Sequence, residues 1–103
     1  MNTSDHEVRV TQLQELPEGK FEVAVVSPDG SQSKHTVTLS EHVHHQLTNG
    51  MASPDTLLKQ SFYFMLEREP KESILPSFDL LIIGKYFPEF EGTIRRTFSA
   101  DTT

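Results

Sequence analysis

Residues 21–69 read FEVAVVSPDGSQSKHTVTLSEHVHHQLTNGMASPDTLLKQSFYFMLERE. The first half alternates apolar and polar residues on either side of a Ser27-Pro28-Asp29-Gly30 turn, which is the period-two pattern of two short strands. The second half has two segments that begin with helix-capping residues, and the later one contains a dense apolar run, Phe62 to Leu66. This order of elements predicts an α+β fold, in which helices cover a small sheet around one core.

The strand patterns predict an antiparallel sheet at the start of the chain. Phe21, Val23 and Val25 occupy alternate positions before the turn, and residues 34–39 continue the alternation with β-branched residues that favour strands. Val8 and Val10 begin a weaker alternation upstream, and residues 16–20 have the proline and glycine of a turn. The sequence therefore predicts either a three-stranded meander or a single hairpin.

Two helices with clear start signals follow the strands. Ser40 is a suitable N-cap for a helix from about residue 41 to residue 48, which the Asn49-Gly50 pair would end in a left-handed conformation. Ser53-Pro54-Asp55 places a cap, a proline at the first helical position and an acid at the positive end of the helix dipole. This second helix is predicted to run from Pro54 to about Glu69, because Pro70 cannot continue it.

The second helix is predicted to lie at the centre of the fold. At about 100° per residue, its apolar side chains span an arc of roughly 200°, which is wider than one sheet face requires. The residues expected at the centre of the core are Phe62, Met65 and Leu66. The wide arc predicts that the sheet packs on one side of this helix and another element on the other.

The C-terminal third is rich in large apolar residues and admits two interpretations. In the first, Ser77 caps a helix from Phe78 to Phe87 that Pro88 ends. In the second, residues 80–83 form a buried strand, since a short apolar run does not distinguish helix from strand by its period. A further helical turn or two is predicted within residues 89–97. The complete prediction is a small hairpin or meander followed by three to four packed helices.

Length and composition predict one globular domain over residues 7–98, with flexible ends at residues 1–6 and 99–103. The 103 residues contain no cysteine, which excludes disulfides, thiolate metal sites and thiol catalysis. The first residues have no apolar leader segment, and the longest later apolar run, residues 80–83, is far too short for a membrane span. We therefore expect a cytoplasmic protein that makes no membrane contact.

The charge balance argues against nucleic acid as a partner. Nine Lys and Arg residues stand against fifteen Asp and Glu, and the net charge is −6. Binding to a phosphate backbone requires a basic face, and the basic residues here are scattered apart from the pair Arg95-Arg96. A nucleic-acid site would have to be built locally, around Lys34 or this pair.

The sequence contains no pattern typical of an enzyme. Its serines lack the Gly-x-Ser-x-Gly setting of a nucleophile, and its glycines are isolated, so no phosphate-binding loop is predicted. Asp79 has apolar neighbours and is expected either to cap a helix or to pair with Arg68 or Lys85. No carboxylates stand out as a general acid and base. We therefore expect a non-catalytic protein with no cofactor.

Histidines on the first helix form the candidate metal site. His42 and His45 are three residues apart, so they share one helical face, and imidazoles at this spacing can bind zinc or nickel. A complete site needs a third ligand, for which His35 and Glu41 are the candidates. A face of solvated histidines with no metal is the alternative.

Aromatic residues near the C-terminus form the candidate interaction site. Tyr86, Phe87 and Phe90 lie close together in the sequence, and aromatic residues are enriched at protein interfaces. The last third also carries more large apolar residues than two elements readily cover, which favours self-association. The predicted function is accordingly a small protein-interaction module, acting through a protein partner or as a homodimer. Core packing of these aromatics is the alternative.

One resemblance supplies a second function. Residues 34–40, KHTVTLS, resemble the ribbon strand of a ribbon-helix-helix DNA-binding domain, and residues 53–58, SPDTLL, resemble the start of its second helix. The resemblance covers about a third of the chain. It implies that two chains pair through this strand and that Lys34, Thr36 and Thr38 enter DNA.

Overall fold

A four-stranded sheet and four helices form the fold of residues 6–98, which are the residues described by a computed structural model of the chain. The strands are β1 (Glu7–Gln14), β2 (Glu18–Val26), β3 (Gln32–Ser40) and β4 (Ser77–Asp79), and the helices are α1 (Glu41–Thr48), α2 (Pro54–Leu66), α3 (Ile83–Tyr86) and α4 (Phe90–Thr97). Apart from His6, the predicted flexible ends lie outside the described residues. None of the helices within residues 6–98 is both long and apolar enough to cross a membrane.

Strands β1, β2 and β3 form the three-stranded meander that was one of the two predicted arrangements. Both neighbouring pairs are antiparallel, with Val8 opposite Val25 and Phe21 opposite Val37. The predicted turn closes on a hydrogen bond of 2.9 Å from the Gly30 amide to the Ser27 carbonyl, and Gly30 has a φ of 92°, which a glycine adopts without strain. The alternate apolar side chains of the sheet are buried, so one face packs on the helices.

Helices α1 and α2 begin where the capping signals predict. The hydroxyl of Ser40 accepts a hydrogen bond of 3.1 Å from the Val43 amide, and the hydroxyl of Ser53 accepts one of 3.2 Å from the Thr56 amide. Asn49 ends α1 with a φ of 56°. Helix α2 ends at Leu66 rather than near Glu69, because the Arg68 amide donates a hydrogen bond of 2.9 Å to the Met65 carbonyl, three residues earlier, and this tighter turn replaces the α-helical pattern.

The prediction for residues 77–82 is wrong in both of its forms. Ser77 does not cap a helix; it begins β4, which pairs in parallel with β3 and places Ser77 opposite Thr36. Residues Leu80–Ile82 form a 3₁₀ turn rather than a strand. Asp79 caps this turn by accepting a hydrogen bond of 3.2 Å from the Leu81 amide, which agrees with one of the two roles predicted for this residue. Of the helix predicted from Phe78 to Phe87, only α3 is α-helical. Helix α4 confirms the prediction of a helix within residues 89–97.

The pairing of β3 differs from that of a ribbon-helix-helix strand. Strand β3 has β2 along one edge, and β4 occupies the other edge over Thr36–Thr38. A ribbon strand pairs with a second chain, whereas β3 is an inner strand of a sheet formed within one chain. The resemblance therefore does not extend to the pairing on which DNA binding by that family depends.

Helix α2 lies at the centre of the core, as predicted. Phe62, Met65 and Leu66 are all buried. The Phe62 ring contacts two rings from the sheet, with centroid distances of 5.4 Å to His35 and 6.0 Å to Phe78. On the other side of α2, the Phe64 ring contacts α4. The wide apolar arc of this helix is thus covered by the sheet and by the C-terminal helices.

Candidate functional site

An apolar concavity lies between the end of α2 and α3. Its volume is about 370 Å³, which is within the range of about 300–1,000 Å³ typical of ligand sites. Ten residues line it, and most of them are aliphatic or aromatic: Met65, Glu69, Ser73, Ile74, Leu75, Phe78, Ile82, Ile83, Tyr86 and Phe87. We call this concavity the α2–α3 pocket.

Each wall of the α2–α3 pocket comes from a different element. Helix α2 contributes Met65, which is buried, and β4 contributes Phe78. The segment between them turns at a 3₁₀ helix, Lys71–Ser73, which a hydrogen bond of 2.9 Å from the Ser73 amide to the Pro70 carbonyl closes. Residues 73–75 then form a third wall. The pocket therefore exists only when α2, β4 and α3 are packed together.

The rim of the pocket carries exposed apolar side chains. Tyr86 is 64% exposed and Leu75 is 41% exposed, and the other large apolar residues with comparable exposure among residues 6–98, Leu13 and Met51, do not line the pocket. An apolar rim around an apolar pocket is typical of a surface that binds another molecule.

Two of the three predicted interface aromatics line this pocket. Tyr86 and Phe87 are lining residues, with Tyr86 exposed and Phe87 half-buried. Phe90 is not on the surface, because it faces inward from the first turn of α4 and is fully buried. Its ring contacts Phe64 edge to face at a centroid distance of 5.2 Å. Phe90 is therefore a core residue and not part of an exposed patch.

Glu69 is the one carboxylate in the lining of the pocket. Its side chain is half-buried, and this burial raises the pKa of the carboxyl group above its ordinary value. Within residues 6–98 it has neither an ion pair nor a side-chain hydrogen bond. The nearby acids differ: Glu72 lies 2.8 Å from Lys71, and Glu89 lies 2.9 Å from Arg68.

His35 fixes one wall of the pocket to the sheet, a role that the sequence analysis did not identify. Its Nδ1 lies 2.6 Å from the carbonyl oxygen of Leu75, and its Nε2 lies 2.8 Å from the hydroxyl of Ser33. The imidazole is 3% exposed. Burial lowers the pKa of His35, and the hydrogen bond to Leu75 opposes this effect only in part. Both ring nitrogens are engaged, so His35 does not serve as a third metal ligand.

The α1 histidines do not line the pocket. His42 and His45 are exposed and border a shallow depression together with Glu41. His44 is used structurally, since its Nε2 lies 2.7 Å from the Ala52 carbonyl. Within residues 6–98, no three His, Asp or Glu side chains converge well enough to hold a metal ion. Of the predicted ligands, Glu41, His42 and His45 thus border one depression, whereas His35 is not among the residues that line it.

The outward face of the sheet mixes basic and acidic side chains. Lys34 pairs with Ala24 across β2 and β3. The next pair on the same face, Thr36 with Glu22, places an acidic side chain close to Lys34. Arg9 is paired with Glu7 at 2.9 Å. The described strands therefore do not present the basic face around Lys34 that binding to a phosphate backbone would require.

Comparison with known proteins adds no further assignment. No family model, curated protein or solved structure matches this chain. The chemistry of the α2–α3 pocket is therefore the basis on which a function can be proposed.

Proposed function

We propose that this protein is a small non-catalytic interaction module, which holds an apolar side chain of a protein partner in the α2–α3 pocket. The observation that carries the proposal is the combination of an apolar pocket of about 370 Å³ with the exposed side chains of Tyr86 and Leu75 at its rim. Residues that anchor protein interfaces are typically buried in such pockets, with aromatic residues around them.

The lining residues support binding rather than catalysis. Ser73 and the Tyr86 hydroxyl are the hydroxyl groups of the lining, and Glu69 is its one carboxylate. None of the lining residues is a histidine, so the serine has no imidazole beside it to act as a general base. A pocket whose groups are mostly apolar is suited to exclude water from a bound side chain.

The partner is either a second copy of this chain or a different protein. Tyr86 and Leu75 are exposed in the isolated chain, and either kind of partner would cover them. We also propose a cytoplasmic location, which suits a small domain that has no cysteine and hence no disulfide, because disulfides are rare in that reducing compartment.

Light scattering over a concentration series tests self-association. If the partner is a second copy, the mass rises with concentration, and Tyr86→Ala suppresses the rise because it removes the rim side chain. Met51→Ala is the matched control, since Met51 is similarly exposed but does not line the pocket. A mass that stays monomeric at all concentrations excludes a second copy as the partner.

A titration with N-acetyl-phenylalanine amide tests the pocket itself. We expect the amide resonances of Leu75 and Tyr86 to shift in the ¹⁵N-labelled protein, and those around Met51 to remain unchanged. Tyr86→Ala should weaken the shifts at Leu75. The proposed function fails if the probe leaves the resonances of the pocket residues unchanged up to its solubility limit.

A further inference from the structure

Glu69 differs from three acidic residues near it, Glu67, Glu72 and Glu89, which are each paired with a cation. Glu67 lies 3.4 Å and Glu89 lies 2.9 Å from the guanidinium of Arg68, and Glu72 lies 2.8 Å from the Lys71 ammonium. Glu69 has no such cation within residues 6–98, although it is the acid that lines the pocket. The one carboxylate that lines the pocket therefore has no cation paired with it within residues 6–98.

The surroundings of Glu69 favour pairing with a cation. A carboxylate that is half-buried among apolar side chains has lost part of its hydration, which is why its pKa is raised. The attraction between opposite charges is stronger next to apolar surroundings than in open water. A cation of a bound molecule that lies next to Glu69 would therefore form a favourable ion pair that the isolated chain lacks.

The two cations nearest to Glu69 along the chain, Arg68 and Lys71, are committed elsewhere. The Arg68 guanidinium stacks on the Phe64 ring, 3.6 Å from its centroid, and pairs with Glu89. The Lys71 ammonium is 6% exposed and donates hydrogen bonds to Ser31 as well as to Glu72. Neither of these two cations is free to pair with Glu69, so a bound molecule can supply one.

The net charge of the chain indicates which molecule that is. A second copy would bring another net charge of −6 to an acidic surface, and like net charges oppose association. A basic segment of a different protein is attracted by the same field and approaches faster. Charge complementarity therefore favours a basic partner over self-association.

We propose that the α2–α3 pocket binds a basic peptide segment of another protein, with an apolar side chain in the pocket and an adjacent Lys or Arg paired with the Glu69 carboxylate. This inference rests on the proposed function and specifies the chemistry of the partner. The apolar contacts provide the anchoring, and the ion pair determines which segments are accepted.

Three peptides that differ only in charge test the proposal. Their sequences are acetyl-Gly-Xaa-Phe-Xaa-Gly-amide, with Xaa being Lys, Ser or Glu, and binding is followed by the amide resonances of Leu75 and Tyr86. At low salt we expect the Lys peptide to bind about five-fold more tightly than the Ser peptide, the upper end for a solvent-accessible ion pair. The Glu peptide should bind most weakly. High salt should reduce these differences, because it screens the charges.

Two variants separate a specific pair from the general negative field. Glu69→Gln should remove most of the preference for the Lys peptide over the Ser peptide and leave only the part that the net charge of the chain provides. Glu15→Gln removes the same charge from an exposed position outside the pocket, and it should leave the preference for Lys intact. Equal binding of all three peptides to the wild type would overturn the basic-partner inference and leave the pocket proposal standing. Failure of every peptide and of N-acetyl-phenylalanine amide to shift the pocket resonances would overturn both.

The remaining outcome concerns a second copy as the occupant. If the wild-type chain dimerises and Tyr86→Ala abolishes the dimer, the pocket is filled by a second copy, and the inference of a basic partner is overturned. A chain that stays monomeric and prefers the Lys peptide supports it.

Discussion

The Nδ1 atom of His35 lies 2.6 Å from the carbonyl oxygen of Leu75, forty positions along the chain. A carbonyl oxygen can only accept a hydrogen bond, so Nδ1 carries the proton in the neutral ring. Nε2 then accepts from the hydroxyl of Ser33, which lies 2.8 Å away. A neutral imidazole in this tautomer satisfies all of these groups and holds one wall of the α2–α3 pocket against β3.

The stability of the fold should fall as the pH falls below about 6.5, the ordinary pKa of histidine. Burial lowers the pKa of His35 in the folded chain, and the groups that face the ring, the Leu75 carbonyl, the Ser33 hydroxyl and the Phe62 ring, carry no charge. The unfolded chain therefore binds a proton at a higher pH than the folded chain does. Between these two pKa values the free energy of unfolding rises with pH, and it is highest above about 6.5.

Urea unfolding between pH 5 and 8 measures this dependence. His35→Gln removes the titrating ring, so its free energy of unfolding should change less with pH than that of the wild type. Ser33→Ala keeps the ring and should retain the dependence while lowering stability by about 1 kcal/mol. A pH dependence that persists unchanged in His35→Gln would assign it to other groups.

Phe90 and Tyr86 should respond very differently to truncation. Phe90→Ala removes a fully buried ring from the contact with Phe64 and should cost about 3–5 kcal/mol. Tyr86→Ala removes a side chain that is 64% exposed and should change the free energy of unfolding by no more than about 0.5 kcal/mol. Chemical unfolding of both variants makes the comparison, and similar losses would contradict the assignment of Tyr86 to the surface.

Asp79, rather than Ser77, should stabilise the segment that follows β4. The Asp79 carboxylate accepts a hydrogen bond of 3.2 Å from the Leu81 amide and another of 2.7 Å from the Thr38 hydroxyl. Loss of this cap in Asp79→Ala should cost about 1 kcal/mol. Ser77→Ala is the matched control, because the hydroxyl of Ser77 caps no helix. The melting temperature of this variant should stay close to that of the wild type. A larger loss of stability in Ser77→Ala than in Asp79→Ala would instead support the predicted helix with Ser77 as its N-cap.

Zinc should have no effect on the melting temperature of the wild type at equimolar concentration. His42 and His45 are exposed, and within residues 6–98 no third ligand joins them to complete a site. A ligand raises the melting temperature only if it binds the folded state more tightly than the unfolded state. A rise that His45→Ala abolishes would instead establish a metal site on α1.

Local signals in the sequence account for the parts of the fold that were predicted. The alternation through Phe21 and Val25 gives strands because side chains on one face meet the core, and the Ser27–Gly30 turn fixes their pairing. Ser40 and Ser53 cap their helices through hydrogen bonds to amides three residues later. Each of these features depends on residues that are close in the sequence.

The features that escaped prediction depend on contacts between distant residues. Strand β4 forms because β3 has an open edge beside it, and nothing within residues 77–79 indicates that partner. The core position of Phe90 depends on how α4 packs against Phe64. His35 did offer a local signal, since it occupies an inward position of the alternation that continues through Val37, but its carbonyl partner at Leu75 could be identified only from the structure.

The parallel pairing of β3 and β4 also affects which part of the sheet separates first in local unfolding. The meander is joined by short turns, whereas the chain passes through α1 and α2 before it returns to β3, and closing a longer loop costs more conformational entropy. Strand β4 is also only three residues long, with Ser77 and Asp79 exposed, and segments with few buried contacts open more readily than the rest of a fold. The Thr36 amide donates a hydrogen bond of 2.8 Å to the Pro76 carbonyl at this closure. A molecule bound in the adjacent pocket favours the closed form, so its binding should slow hydrogen exchange at Thr36, in the interior of the sheet.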